Sequence, residues 1–209
     1  MSRITATTKC RLCRAEGEKL FLKGDRCFSS KCPIEKRGGV PPGMHGLKRK
    51  RTSDYGFQLR AKQKAKRIFA VNETQFRNYY LTAKNMAGLA GDNLLILLEQ
   101  RLDNVIFVSG LALSKSHARQ LVAHKHVSVN KQKINIASYQ VQVGDKIAID
   151  PKFLERFKDQ LKANQKDFKA PAWLDLDKSK QTITINALPD PSAISKDIDT
   201  NLIIEYYSR

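Results

Sequence analysis

The sequence has few acidic residues and no long apolar segment. Asp and Glu together number 20 against 38 Lys and Arg, so the 209-residue chain carries a net charge of +18 at pH 7. The longest aliphatic run covers positions 94–98, far short of the roughly 20 residues that span a membrane. Positions 1–5 lack the apolar stretch of a secretory signal. We therefore expect a cytoplasmic protein with no membrane partner.

Known catalytic motifs are also missing. The sequence includes no phosphate-binding glycine-rich loop, no nucleophile elbow and no HExxH motif. The four histidines and the carboxylates are scattered as single residues. We therefore predict no catalytic residue, no enzymatic activity and no small-molecule substrate.

Positive charge is concentrated at the amino-terminal end. Residues 1–70 hold 19 basic and 5 acidic side chains, a net charge of +14, whereas residues 71–209 hold 19 and 15. Each phosphate that a cation neutralises releases counterions from a nucleic acid, so this asymmetry favours a polyanionic partner. A solvated basic tail is the alternative, but Cys, Gly, Pro and aromatic residues are interspersed among these charges.

All four cysteines lie close to the amino terminus, at Cys10, Cys13, Cys27 and Cys32. They form two close pairs, separated by the segment 14–26. Two such pairs can supply four thiolates to a tetrahedral Zn²⁺, and a reducing compartment argues against disulfides. Four sulfur ligands leave no open coordination position, so we predict one structural zinc per chain. Redox chemistry at positions 10–13, another metal or cluster, and unligated thiols are the alternatives.

Local signals predict a helical stretch followed by short strands. Residues 33–46 are rich in Pro and Gly and predict an extended connector, not a helix. The basic residues between positions 60 and 67 are predicted to lie on a helix. Three residues are predicted to be helix N-caps. Asn72 would cap a helix at 73–86, and Asp92 would cap one from 93 that includes the apolar positions up to Ile106. Ser114 would cap a third helix, from 115 to about 125.

Period-two patterns after position 126 predict strands. We expect one hairpin from 127–129 and 134–136, a second from 141–143 and 147–149, and late strands at 182–186 and 202–206. Residues 151–170 are polar and predicted to be helical. On the preceding helix, Ala118, Leu121 and Val122 predict a buried stripe with Lys115 and Arg119 beside it.

Several segments resemble the bacterial ribosomal protein S4 family. They are residues 101–105, 118–122, 129–130, 135–141, the four-Cys segment, 41–46, 171–174 and 202–208. The resemblance covers nearly the whole chain and implies an α+β fold with three parts. These are a zinc-binding basic arm at 1–42, a mainly helical domain at 43–97 plus 166–209, and an inserted S4-type RNA-binding domain at 98–165. The inserted domain would be a helix pair with a small antiparallel β-sheet.

The resemblance also implies a function. Members of the family are structural constituents of the small ribosomal subunit that bind 16S ribosomal RNA (16S rRNA) early in assembly, at a junction in its 5′ domain. It implies the small-subunit proteins S3 and S5 as partners, and a place beside the path by which mRNA enters. An influence on translational accuracy and, in some bacteria, translational autoregulation are implied as well. The sequence departs from the family pattern in two places. It lacks the usual Gly-Pro before the first Cys, and it has Met44 where Gln is common.

Three groups of residues are the candidate RNA contacts, since cations and short polar side chains bind phosphates and aromatic rings stack on bases. The first group flanks the cysteines: Lys9, Arg11, Arg14, Arg26, Lys31, Lys36 and Arg37. The second follows the connector: His45, Lys48, Arg49, Lys50, Arg51, Tyr55, Arg60, Lys62, Lys64 and Lys66. The third lies in the inserted domain: Ser114, Lys115, Ser116, Arg119, Gln120, Lys125, Asn130 and Lys131.

Two other functional classes are the alternatives. An enzyme that carries the same RNA-binding module, such as a pseudouridine synthase or a tyrosyl-tRNA synthetase, needs a large catalytic domain, but only the segment 166–209 remains after the module. A zinc-dependent DNA-binding regulator should join a recognition helix to its zinc site, whereas Pro- and Gly-rich chain follows Cys32 here.

Overall fold

The structure is a computed structural model that describes residues 9–44, 46, 51–155, 157, 161, 170–177, 181–194 and 198–209. The chain divides into two compact units, Met1–Leu95 with Pro191–Arg209, and Ile96–Asp190. The three-part division expected from the resemblance stays a prediction.

Helices dominate the first unit and a small sheet the second. The helices, in chain order, are α1 (Lys9–Glu16), a 3₁₀ helix (Gly24–Cys27), α2 (Pro33–Arg37), α3 (Asp54–Ile68), α4 (Glu73–Asn85), α5 (Ala90–Glu99), α6 (Leu102–Val108), α7 (Lys115–Ala123), α8 (Pro151–Glu155), α9 (Pro191–Ile194) and α10 (Thr200–Tyr207). The strands are β1 (Val127–Val129), β2 (Gln132–Lys133), β3 (Lys146–Ile149), β4 (Leu174–Asp177) and β5 (Thr182–Ile185). This combination confirms the predicted α+β class. Among the described helices, none is long and apolar enough to cross a bilayer.

Two predicted helix starts are confirmed by their capping hydrogen bonds. The Asn72 side chain accepts from the Gln75 N–H at 2.7 Å, and the Ser114 hydroxyl accepts from the His117 N–H at 3.3 Å. Each cap satisfies a backbone donor that the first helical turn leaves free. The apolar positions that follow are buried as expected, with Ala118, Leu121 and Val122 fully enclosed on α7.

Residues 202–206 form part of helix α10, so the predicted strand there is wrong. The Asp199 side chain caps this helix by accepting from the N–H groups of Asn201 and Leu202. Ile203 is fully buried on α10, and Tyr207 stacks on Tyr80 at 4.6 Å between ring centroids. A short run of aliphatic and aromatic residues is compatible with both the helical and the strand periodicity, so tertiary packing decides which of the two forms.

Two further helix predictions need correction. The segment 33–46, predicted as an extended connector, begins with the short helix α2. Pro33 is the first residue of α2, a position at which a backbone N–H would have no partner within the helix, so proline is tolerated there. The single helix predicted up to Ile106 is broken into α5 and α6, since Arg101 adopts extended backbone angles at the break. Asp92 lies within the first turn of α5, which begins at Ala90 and not at position 93.

The five strands form one antiparallel sheet in the order β2-β1-β3-β5-β4. Val127 pairs with Ile149, and Ile147 pairs with Ile183, so alternate residues bring their aliphatic side chains to one face. These side chains pack with Leu102, Ile106 and Leu121 into the core of the second unit. Strand β5 confirms the prediction at 182–186, whereas β4 was not predicted.

The segment 134–141 is not a strand, and part of it caps the amino-terminal end of α6. The carbonyls of Tyr139 and Ala137 accept from the N–H groups of Leu102 and Asp103, at 2.9 and 3.2 Å. The predicted strands at 134–136 and 141–143 are wrong. Pairing with β1 ends at Ile134, whose N–H donates to the Val127 carbonyl at 3.1 Å, and the Val141 N–H donates to the Gln100 carbonyl just after α5 at 2.9 Å. Most of the helix predicted at 151–170 lies outside the described residues.

Candidate nucleic-acid interface

Short elements of the first unit bring the four cysteines together. Cys10 and Cys13 lie on α1, Cys27 ends the 3₁₀ helix, and Cys32 precedes α2. All four are free thiols, and all four line one small cavity of about 10 Å³, close to the volume of a single water-sized sphere. We call this the thiol cavity. The Lys23 N–H donates to Cys27 Sγ at 3.3 Å.

The thiols fit a metal ion by chemistry and by position, though not by their present arrangement. Among the residues that the structure describes, no three His, Cys, Asp or Glu side chains form a group that could hold a metal ion as they stand. Burial raises the pKa of Cys13, and the charges of the other three thiols act in the same direction. Four soft donors around one cavity are of the type that Zn²⁺ prefers.

A second, larger cavity on the first unit is lined by cations. Its volume is about 540 Å³. Its wall consists of Cys10, Arg11, Arg14, Arg26, Lys31, Pro33, Lys36, Arg37 and Pro42. We call this the basic cavity. It brings together six of the seven cysteine-flanking cations that were predicted to bind RNA, and Cys10 and Pro33 also line the thiol cavity.

The charges of the basic cavity are not neutralised within the described residues. None of its six cations forms a salt bridge with a described carboxylate, and no carboxylate lines the wall. Arg14 donates to the carbonyls of Val40 and Pro41, at 2.9 and 3.3 Å, which fixes the connector at the rim. Six cations around one concave surface attract a ligand that carries several negative charges.

Two acidic side chains of the arm, Glu16 and Glu18, are paired with cations of α3. Glu16 pairs with Arg67 and, at 3.5 Å, with Arg60, while Glu18 pairs with Lys64 at 2.7 Å. Burial raises the pKa of Glu16, although the charge of Arg67 opposes this. Two predicted RNA contacts, Arg60 and Lys64, are therefore partly occupied by ion pairs with α1 and its continuation.

Lys62 and Lys66 on α3 also have intramolecular partners. Both donate to the Glu73 carboxylate, at 2.8 and 2.9 Å, and the Tyr207 hydroxyl donates to it as well. Lys62 is 4% exposed, with its ammonium 4.2 Å from the centre of the Tyr206 ring. Burial alone would raise the pKa of Glu73, but these hydrogen bonds outweigh it and lower the pKa to about 2.

Of the other amino-terminal candidates, two are on the surface, one is hydrogen-bonded within the first unit, and four lie outside the described residues. Tyr55 is exposed and lies near Tyr206, Arg51 is exposed before α3, and Lys9 donates to the Leu22 carbonyl. His45, Lys48, Arg49 and Lys50 lie outside the described residues.

In the second unit, α7 and the turn after β1 present the third group. Gln120, Lys125 and Lys131 are exposed, and Ser116 and Arg119 are half-buried. Asn130 is committed to the fold, since its side chain donates to Asp145 at 2.7 Å and accepts from the Lys146 N–H at 3.0 Å. Its backbone and that of Lys131 are left-handed, which makes a tight turn between β1 and β2.

Lys115 is half-buried and lies close to an ionic group in the interior of the second unit. Burial lowers its pKa to about 8, although the charges of Glu99 and Asp103 raise it. Arg101 is fully buried and forms a two-pronged salt bridge to Asp103, at 3.0 and 2.7 Å, and Asn104 donates to Glu99. Residues 101–105, which carry much of the resemblance, are thus interior residues that hold α5, α6 and α7 together.

Sequence reasoning passed over two exposed aromatic residues of the first unit. Phe21 and Phe28 lie between Cys13 and Cys32, on either side of Cys27, and their rings stack on each other. The signal available in the sequence was the placement of both rings among nearby basic residues, which are Lys19, Lys23 and Arg26.

Comparison with known proteins matches almost the full length of the chain. Residues 5–99 match the profile described as the ribosomal protein S4/S9 N-terminal domain, and residues 100–147 match the S4 domain. A protein of Desulforamulus reducens named small ribosomal subunit protein uS4 is 50% identical over 96% of both chains. The protein of the same name from Clostridioides difficile is 49% identical over 100% of both chains, and that from Caldicellulosiruptor saccharolyticus is 48% identical over 96% of both.

Proposed function

The chain belongs to the ribosomal protein S4 family, and we propose that it binds 16S rRNA as a structural constituent of the small ribosomal subunit. The family is not one of enzymes, in agreement with the absence of catalytic motifs from the sequence. As a ribosomal protein the chain acts in the cytoplasm. Its RNA target is the multi-helix junction of the 5′ domain, which it binds early so that assembly of the subunit can proceed around it.

The basic cavity is the observation that carries this proposal. Six cations and no carboxylate line this cavity. Its volume of about 540 Å³ is suited to several phosphates or a nucleotide. Folded RNA brings phosphates of separate strands close together, and a concave cationic surface neutralises several of them at once. Exposed Gln120, Lys125 and Lys131 supply further polar contacts from the second unit.

The finer roles follow from family membership. We propose that the chain contacts proteins S3 and S5, lies beside the path by which mRNA enters, and contributes to translational accuracy. Repression of its own operon is a further proposed role. The match over 96–100% of curated relatives supports the transfer of these roles to the whole chain.

We also propose a structural zinc held by Cys10, Cys13, Cys27 and Cys32. The shared cavity of the four thiols supports it. When bound, the ion would cross-link α1, the 3₁₀ helix and α2, the three elements that also carry most cations of the basic cavity. Elemental analysis of the purified protein should find one zinc per chain, with loss of the metal in Cys13→Ser. Four freely titratable thiols and no metal would contradict the proposal.

RNA binding is tested with two matched pairs of substitutions. Lys36→Gln with Arg37→Gln removes two cations from the basic cavity, and Arg77→Gln with Lys84→Gln removes the same charges from exposed positions of α4. Affinity for a 16S fragment with the 5′ junction is measured at several salt concentrations. The first pair should lower the slope of log affinity against log salt by about 0.7–0.9 per lost phosphate contact, and the second pair should change it little.

The outcomes separate the rival hypotheses. Equal losses in both pairs would show that the cavity binds no phosphate and that only net charge matters. A wild-type protein that prefers duplex DNA over the junction fragment would favour a DNA-binding regulator and contradict the proposed function.

A further inference from the structure

Phe21 and Phe28 form an exposed aromatic pair on the first unit. Their ring centroids are 5.1 Å apart with an interplanar angle of 29°, and the residues are 45% and 75% exposed. Single exposed apolar side chains are common, but two rings that stack on each other and remain open to solvent form a small apolar patch.

The backbone holds both rings outward. Leu20 and Leu22, on either side of Phe21, are each 7% exposed and pack with Cys13 in a small core. Phe21 itself has a φ of +49°, a conformation that is a genuine outlier for a bulky residue. Backbone strain of this kind is found at binding sites, where it fixes a side chain in its working position.

Phe28 is held in place by its buried neighbour and by a backbone hydrogen bond. It follows buried Cys27, and its N–H donates to the Asp25 carbonyl at 3.1 Å, which closes the 3₁₀ helix. Phe28 therefore stands on a hydrogen-bonded turn and Phe21 between two buried leucines, so little conformational freedom is lost when a ligand stacks on the rings.

The chemistry around the pair indicates which ligand it suits. Phe21 lies on the wall of the thiol cavity together with Lys9, Lys19 and Lys23, and no carboxylate lines that wall. Lys19 is paired with Glu35, whereas Lys23 is exposed and forms no salt bridge with a described carboxylate. An aromatic surface beside cations matches a nucleotide, with an apolar base face and a charged phosphate.

The basic cavity adjoins the thiol cavity, on whose wall Phe21 lies, since Cys10 and Pro33 line both cavities. We propose that Phe21 and Phe28 form a stacking platform for one unpaired base of the RNA whose phosphates occupy the basic cavity. This inference rests on the proposed RNA-binding function. Unpaired bases are the part of a folded RNA that is free to stack on aromatic side chains, so the platform adds a preference for a strand with an unstacked base.

Two substitutions at Phe28 test the platform. Phe28→Leu keeps an apolar side chain but removes the ring, and it should weaken binding to the 16S junction fragment roughly tenfold. Phe28→Tyr keeps the ring and should bind within about twofold of wild type. Leu89→Ala removes another exposed apolar side chain of the first unit, 73% exposed, and should leave affinity unchanged.

Fluorescence provides a direct readout. The natural Trp173 is buried, so Phe28→Trp adds a solvent-exposed reporter at the platform, and Leu89→Trp adds one at the control position. RNA should quench the reporter at position 28 and leave that at position 89 unchanged, because stacking requires face-to-face contact with a base.

The results distinguish the inference from the function on which it rests. If the wild-type protein does not bind the fragment, the proposed function fails. If the wild type binds but Phe28→Leu binds equally well, or RNA does not quench Phe28→Trp, only the platform is overturned. Unchanged RNA affinity with loss of a neighbouring protein's binding in Phe28→Leu would overturn it too, by showing that the pair contacts protein.

Discussion

At the residue scale, the same kind of side chain has different roles according to its neighbours. Lys62 and Lys36 both belong to the basic amino-terminal part of the chain, yet Lys62 is buried against Glu73 whereas Lys36 is exposed on the wall of the basic cavity. The first stabilises the fold and the second remains available to a ligand. Charge density alone therefore overstates the number of cations that can contact RNA.

Glu73 should stabilise the first unit except in strong acid. Its pKa is lowered to about 2, so it binds fewer protons in the folded than in the unfolded chain, and its contribution is complete above its ordinary pKa and lost as pH falls toward 2. Glu73→Gln should lower the free energy of unfolding at pH 7 by about 1–2 kcal/mol, a value discounted because the carboxylate is partly exposed. Urea unfolding of both proteins from pH 7 to pH 2 checks this. A difference independent of pH would contradict it.

Lys115 should give a pH dependence in the alkaline range. Its pKa is lowered from 10.5 to about 8, so the unfolded chain binds more protons between these values and stability rises with pH in that window. The free energy of unfolding of wild type relative to Lys115→Met should therefore increase between pH 8 and 10.5, by up to about 3 kcal/mol. Unfolding curves at three pH values in this window measure it, and a constant difference would show that the ammonium is solvated.

At the element scale, short helices and their caps position the functional side chains. The extended backbone at Arg101 separates helix α5 from helix α6, and the loop at 137–139 supplies the carbonyls that cap α6. Helix α7 then packs Ala118, Leu121 and Val122 against the sheet. Gln120 is left on the exposed side of the same helix, and Arg119 is half-buried.

Leu121 should be essential for the packing of α7. It is fully buried in the core of the second unit, so Leu121→Ala leaves a cavity and should destabilise that unit by roughly 2–5 kcal/mol. Gln120→Ala, at the exposed neighbouring position, should change stability by less than about 0.5 kcal/mol. Thermal unfolding of the three proteins gives the comparison. Similar effects of both substitutions would mean that the buried face of α7 is assigned wrongly.

At the scale of the whole molecule, the first unit carries most of the positive charge, and the second unit has fewer cations. The amino-terminal segment 1–70 holds a net charge of +14 and includes every residue that lines the basic cavity. The second unit has an aliphatic core beneath an antiparallel sheet. Affinity and RNA shape preference should therefore depend on the two units to different degrees.

Deletion of residues 1–46 should separate these contributions. The truncated protein should bind the 16S junction fragment more weakly and with a flatter salt dependence, by about 0.7–0.9 in slope per lost phosphate contact. Its preference for the junction over random RNA should fall less, since rigid elements read RNA shape. Circular dichroism controls for folding. An unchanged salt slope would show that the amino-terminal charges remain solvated in the complex.

The sequence by itself determined the features that depend on neighbouring residues. The caps at Asn72 and Ser114 each join a side chain to a backbone N–H three positions away, so local pattern was sufficient to find them. The asymmetric charge, the cysteine spacing and the family segments are likewise read directly along the chain. Together they predicted the α+β class and the cysteine-flanking cations that line the basic cavity.

Only the tertiary structure decided which of these side chains are free to act. Arg67 and Glu16 are 51 positions apart, and Tyr207 reaches Glu73 across 134 positions, so no local pattern predicts these partners. The same holds for α10, where burial of Ile203 in the first unit decides in favour of a helix over a strand. Burial and ion pairing depend on distances in space, and the free energies they contribute outweigh the weak local preferences that a sequence displays.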